Sequence, residues 1–144
     1  MVSKDKYFCD MEIRQYTSKT HNITLWIAQI ILFLLFISGA VTKLFFPAEK
    51  LAAMWPWTAV NGNLVILTGI LDALAAFGLI LPMMTGIAPK LTFFAALGAA
   101  GLMMGAIVFH IGRGEAEHIG INVFTLLVAL FIAWNRKSVK SPSS

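Results

Sequence analysis

Three stretches of this chain run for 19 residues or more with at most one charged side chain each: 24–46 carries only Lys43, 63–81 only Asp72, and 91–111 none. A helix needs about 20 apolar residues to cross the hydrocarbon of a bilayer, and these runs meet that length. A soluble domain would instead alternate apolar and polar helix faces at a 3.6-residue period, which these runs barely do. Composition agrees, with 58% of the 144 residues hydrophobic and 12% charged and a mean hydropathy of +0.80. A fourth run, 119–134, is shorter and is expected to cross by extending into its flanks, by thinning the bilayer or by standing nearly upright. Lipid offers the backbone no hydrogen-bond partner, so the runs should be helices, and the alternation of a β-barrel strand is absent. The predicted fold class is all-α: an integral membrane four-helix bundle at 24–135, preceded by an N-terminal segment at 1–23 and followed by a tail at 136–144.

Basic residues set the expected orientation. Lys4, Lys6, Arg14 and Lys19 precede the first run, Lys90 lies between the second and third, and Arg136, Lys137 and Lys140 follow the fourth, against Lys43, Lys50 and Arg113 at the opposite end. Eight against three places both termini in the cytoplasm, in a multi-pass protein of the cell (plasma or inner) membrane. The net charge of +4 and pI near 9.5 reflect this anchoring, and no nucleic-acid site is expected. The first run is too long for a signal-peptide core and follows a 23-residue polar segment, so cleavage is not expected. That segment, with Tyr7, Phe8, Tyr16 and the lone Cys9, is expected to be flexible or interfacial, and one cysteine makes no internal disulfide.

Polar residues inside the runs are the informative ones, because the bilayer penalises each of them. Asp72 is the tenth residue of its 19, hence ~13 Å from either end, where an insertion scale puts its cost at roughly 2.5 to 3.5 kcal/mol. It should face the bundle interior, protonated or paired. Lys43, three residues before the end of the first run, shares its leaflet and differs in depth by ~9 Å. Two fates are open to Lys43: a pair with Asp72, direct or through a water, or snorkelling outward to the headgroups.

The third run delivers His110 to the same end, and the fourth begins there with Asn122. The loop between them adds Arg113, Glu115, Glu117 and His118, and the loop after the first run adds Trp55, Trp57 and Asn61. Lys43, Asp72, His110 and Asn122 form a candidate polar pocket, with Trp55, Trp57, Arg113 and Glu115 at its mouth. The plainer alternative is an interfacial cap of headgroup-level aromatics and solvated charges. Helical spacing gives each run an inward stripe: Gln29, Phe36, Gly39, Ala40 and Lys43; Thr68, Gly69, Asp72, Ala75 and Ala76; Thr92, Met103, Ala106 and His110; Asn122 and Thr125. Gly101 and Gly105 make a GxxxG contact motif, open to a neighbour in the bundle or to a second copy, so a homo-oligomer is one option.

Several chemistries are not indicated. His110 is the only histidine within a run, so a bis-histidine haem site is not expected. The spacing of His110, Glu115 and His118 matches no recognised zinc pattern, and no metal is predicted. There is no phosphate-binding glycine loop, and the serines lack a histidine and carboxylate arrangement, so no self-contained catalytic motif marks an enzyme.

From Trp26 to about Arg136 the chain resembles the DoxX-like membrane proteins. The likeness is carried by Gly39-Ala-Val-Thr-Lys43-Leu44, Trp55-Pro-Trp57, Gly69-Ile-Leu-Asp72 and Gly78-Leu-Ile-Leu-Pro82. It continues through Thr85-Gly-Ile-Ala-Pro89, Leu91-Thr92, Ala95-Ala96, Met104-Gly105-Ala106, His110, Glu115 and Asn122. Asp72 departs from the glutamate such a resemblance leads one to expect. The resemblance implies a four-helix membrane bundle, in which some relatives are described as quinone-linked oxidoreductase subunits or membrane parts of redox complexes. Fold-level likeness does not transmit chemistry. Three functions follow as expectations: an accessory subunit with a redox partner protein and a quinone at Lys43, Asp72 and His110, with Asp72 relaying the proton; a carrier or binding protein for a small apolar ligand; or a non-catalytic scaffold in the lipid bilayer.

Overall fold

The computed structural model describes residues 4–137, with side chains from Lys19 onward except that of His118. Five α-helices follow one another: α1 (Lys4–Phe45), α2 (Ala48–Met54), α3 (Gly62–Thr85), α4 (Lys90–Gly112) and α5 (Gly120–Arg136), with 3-10 turns at Pro56–Ala59 and Ala116–His118. The expectations that rest on the side chains of Cys9 and His118, and on the tail beyond Lys137, fall outside the described residues.

Two boundaries differ from the sequence-based expectation, each for a physical reason. The segment expected to be flexible or interfacial is helical from Lys4, giving α1 42 residues, or about 63 Å. No glycine or proline occurs between Lys4 and Ser38, so nothing in the backbone interrupts the helix until Pro47 ends it. The second difference is the end of α3, which runs past the expected Leu81 to Thr85 with Pro82 inside it. Gln29 of α1 donates its side-chain amide to the carbonyl of Leu79, 2.5 Å away, in the turn that the proline interrupts. Proline at 82 removes the donor that would reach the Gly78 carbonyl, and the glutamine serves the carbonyl next to it. The helix ends three residues later, where Gly86 takes the left-handed conformation at φ 70°.

Three helices are long and apolar enough to cross a membrane: residues Lys19–Phe45 of α1, all of α3 and all of α4. α5, with 17 residues, covers about 26 Å, slightly less than the ~30 Å hydrocarbon core. In space α1 packs on α3, α3 on α4 and α4 on α5, and α5 returns to α1. The core between them holds Ala28, Leu32, Phe36, Ala75, Ala76, Leu79, Ala96, Ala99, Ala100, Ala129, Ile132 and Ala133. Alanines dominate because membrane helices gain from close van der Waals approach rather than from expelling water. Large side chains such as Ile27, Leu34, Leu74, Phe94, Val108 and Leu127 point outward, which lipid tolerates and water would not.

The glycines divide by what faces them. A Cβ on Gly78 would meet the Cβ of Ala95 at 2.8 Å, and one on Gly69 would meet the Leu44 side chain at 2.9 Å. Gly101 and Gly105 have nothing within 4 Å and are exposed, so the GxxxG motif is not a contact within the bundle.

Candidate functional site

Lys43 and Asp72 meet directly. Asp72 is carried at mid-length of α3 and is 4% exposed, and Lys43 Nζ lies 2.7 Å from its Oδ2. The lysine therefore does not turn out to the headgroups. The shorter carboxylate reaches because the helices close in on it: a Cβ on Gly39 would lie 3.0 Å from Asp72 Oδ2, and one on Gly69 would lie 3.1 Å from Lys43 Cβ. Glycine at both positions removes the side chains that would hold α1 and α3 apart. An ammonium has three donors, and one is engaged by Asp72. The Lys43 side chain keeps 16% of its surface.

His110, Arg113 and Glu115 form a second cluster where α4 turns toward α5. Glu115 Oε2 lies 2.8 Å from His110 Nδ1 and its Oε1 accepts from Arg113 Nε at 3.0 Å. An ionised carboxylate only accepts, so Nδ1 is the donor. The hydrogen bond from His110, then that from Arg113, holds the Glu115 carboxyl below its ordinary value of 4.5. Left-handed Gly114, at φ 76°, makes the tight turn that folds Glu115 back onto the helix end.

The two tryptophans of the segment after α1 lie near this cluster. Trp57 is buried with Leu51 and Val65, Trp55 packs against that group, and the Trp57 ring stands edge-to-face on Phe109 at 5.8 Å. The segment after α1 is thereby tied to α4. Asn122, half-buried near the start of α5, belongs to neither charged cluster, and no described hydrogen bond joins Lys43 or Asp72 to His110, Arg113 or Glu115. Seven of the eight expected residues thus fall into a buried ion pair, a charge cluster at the end of α4 and an aromatic cap, and Asn122 stands apart.

One polar constellation was not anticipated. Arg136, assigned from its position to flank anchoring, is 5% exposed. Its Nε and Nη2 both donate to Gln29 Oε1, at 3.1 and 2.8 Å, and its Nη1 donates to Asn22 Oδ1 at 3.2 Å. Gln29, fully buried, so links α5 to α1 while its amide reaches α3. A glutamine six residues into an apolar run was the available signal, since such a residue requires partners for both ends of its amide.

Outward-facing apolar helices around a small-residue core with ionic groups inside define a multi-pass membrane protein. Residues 27–132 match the model of the DoxX-like family, and the chain belongs to that family. Comparison with curated proteins and with solved structures gave no match.

Proposed function

We propose that this protein is an accessory subunit of a membrane redox complex, crossing the bilayer four times with both termini cytoplasmic, and that it meets a quinone headgroup at Lys43 and Asp72. Lys43 carries the proposal: its ammonium is anchored by Asp72, has two further donors and keeps part of its surface. A quinone carbonyl oxygen is an acceptor that such a donor suits, and intramembrane ionisable residues are functional by default expectation. Bound there, a quinone would supply two-electron, two-proton chemistry, while Lys43 would orient its carbonyl and Asp72 would hold the ammonium in place. On this proposal Trp55, Trp57, Arg113, Glu115, His110 and Asn122 form the rim at the same end, and the redox partner supplies the electrons.

A second function, a scaffold in which the pair locks α1 to α3, is favoured by the glycine packing at Gly39 and Gly69. The two separate by extracting and identifying small molecules that co-purify with wild type, Lys43→Gln and Asp72→Asn, alongside the thermal stability of each. Quinone with wild type but not with a Lys43→Gln variant that keeps the wild-type helix content at the temperature of extraction supports the site. No quinone, with both variants melting early, supports the scaffold and removes the redox assignment.

A further inference from the structure

At the end of the bundle opposite Lys43 and Asp72, a cavity of about 330 Å³ is lined by Lys19, His21, Asn22, Leu25, Asn135 and Arg136. We infer that it binds a phosphate group, as carried by an anionic phospholipid. The buried guanidinium of Arg136 is the reason. Its three hydrogen bonds run to two neutral amide oxygens, of Gln29 and Asn22, and none of the described ion pairs includes it.

The seven acidic residues of the whole chain make the charge imbalance general. Asp72 and Glu115 are engaged near the other end, and Glu49 and Glu117 belong to the elements there. Asp5, Asp10 and Glu12 lie on α1, a continuous helix, so even Glu12 is about 10 Å along the axis from Lys19, the first lining residue. Among the described residues no carboxylate lines the cavity, and it is lined by Lys19 as well as Arg136. A buried cation without a counter-charge is costly, and an anion entering here would remove that cost.

Donor geometry narrows the anion. Guanidinium has five N–H donors, and three engage Gln29 and Asn22, leaving two for an oxyanion, which a planar fork suits. The amide of Asn135 and the ammonium of Lys19 add donors, while Leu25 gives an apolar wall. The cavity lies where the apolar helices end, at the level where lipid headgroups lie, and basic pockets between membrane helices suit such groups. Trp134, 71% exposed, with Lys137 over its ring at 3.8 Å, supplies the interfacial anchor next to it.

The test uses the full chain in detergent, titrated with phosphatidylglycerol, phosphatidylcholine and inorganic phosphate, with adducts counted by native mass spectrometry. Wild type should retain one phosphatidylglycerol at a concentration at which phosphatidylcholine is lost. Lys19→Gln, at an exposed residue, should weaken retention about ten-fold, the order expected on losing one charge-assisted hydrogen bond, without lowering the melting temperature. Arg136→Gln should abolish retention. Inorganic phosphate that binds and displaces the lipid would support the site and assign it to a soluble anion. Equal retention of both lipids with no phosphate bound, or retention unchanged in the Lys19 variant, would overturn the inference, whether or not the Arg136 variant folds.

Discussion

Replacing Lys43 by methionine keeps an unbranched stem and removes only the charge and its donors. Asp72 is then left 4% exposed, without the one described hydrogen bond to its carboxylate. Breaking a buried ion pair from one side costs about 3 to 5 kcal/mol. Neutralisation bounds that figure: protonating an ordinary aspartic acid at pH 7 spans about three pH units at roughly 1.4 kcal/mol each, or ~4 kcal/mol. The variant should therefore lose about 3 to 4 kcal/mol at pH 7. Asp72→Asn, combined with Lys43→Met, removes both charges with almost no change of volume and should recover at least ~2 kcal/mol as a coupling energy. Asp72→Asn alone should cost less than Lys43→Met, because the long stem of lysine can carry a released ammonium toward the headgroups and the carboxylate has no such route. The assay is a reversible denaturant titration in mixed micelles followed by tryptophan fluorescence. A loss below ~1 kcal/mol for Lys43→Met, or no recovery in the double variant, would refute the ion pair as a stabilising contact.

Three more outcomes are open to the same assay or to hydrogen exchange. Gly78→Ala sets a methyl 2.8 Å from the Cβ of Ala95, which has no rotamer to escape into, and should cost about 1 to 3 kcal/mol; Gly101→Ala and Gly105→Ala, facing open space, should be neutral or stabilising by up to ~1 kcal/mol. Thr92→Val should be neutral or stabilising by ~1 kcal/mol, because the buried Thr92 hydroxyl has no hydrogen-bond partner among the described residues. The Glu115 carboxyl is held below 4.5 by His110 and Arg113, so its contribution is fully present above that value and is lost as the pH falls through the folded-state value. Amides of the segment following α4 should lose exchange protection over that acid range in wild type, and Glu115→Gln should flatten the dependence; an unchanged profile in the variant would contradict the assignment.

How far the sequence could be read depended on whether a residue's cost was local. Apolar runs are legible because a bilayer taxes every charge within them, and that logic located three spans and marked Asp72 as a residue that must be answered for. Its partner was legible only as one of two fates for Lys43, since the deciding distance depends on how closely α1 and α3 approach. Gly39 and Gly69 set that approach, but a glycine in an apolar run does not announce which neighbour it admits. Gly101 and Gly105 show the converse: the same spacing, on a face that meets nothing. The bond from Gln29 to the Leu79 carbonyl, beside the break at Pro82, spans 50 residues of chain and leaves no local trace. Arg136 was read as an anchor because a basic residue at a helix end usually is one, while its acceptors on Gln29 and Asn22 lie more than 100 residues earlier.

Whether Lys43 meets a quinone is tested most directly by titrating a short-chain quinone into the purified protein and following quenching of tryptophan fluorescence, in wild type and in Lys43→Gln. Saturable quenching that weakens about ten-fold in the variant, the order expected on losing one charge-assisted donor, is the predicted result. Quenching of equal affinity in the two proteins, or none that saturates in wild type, would contradict it.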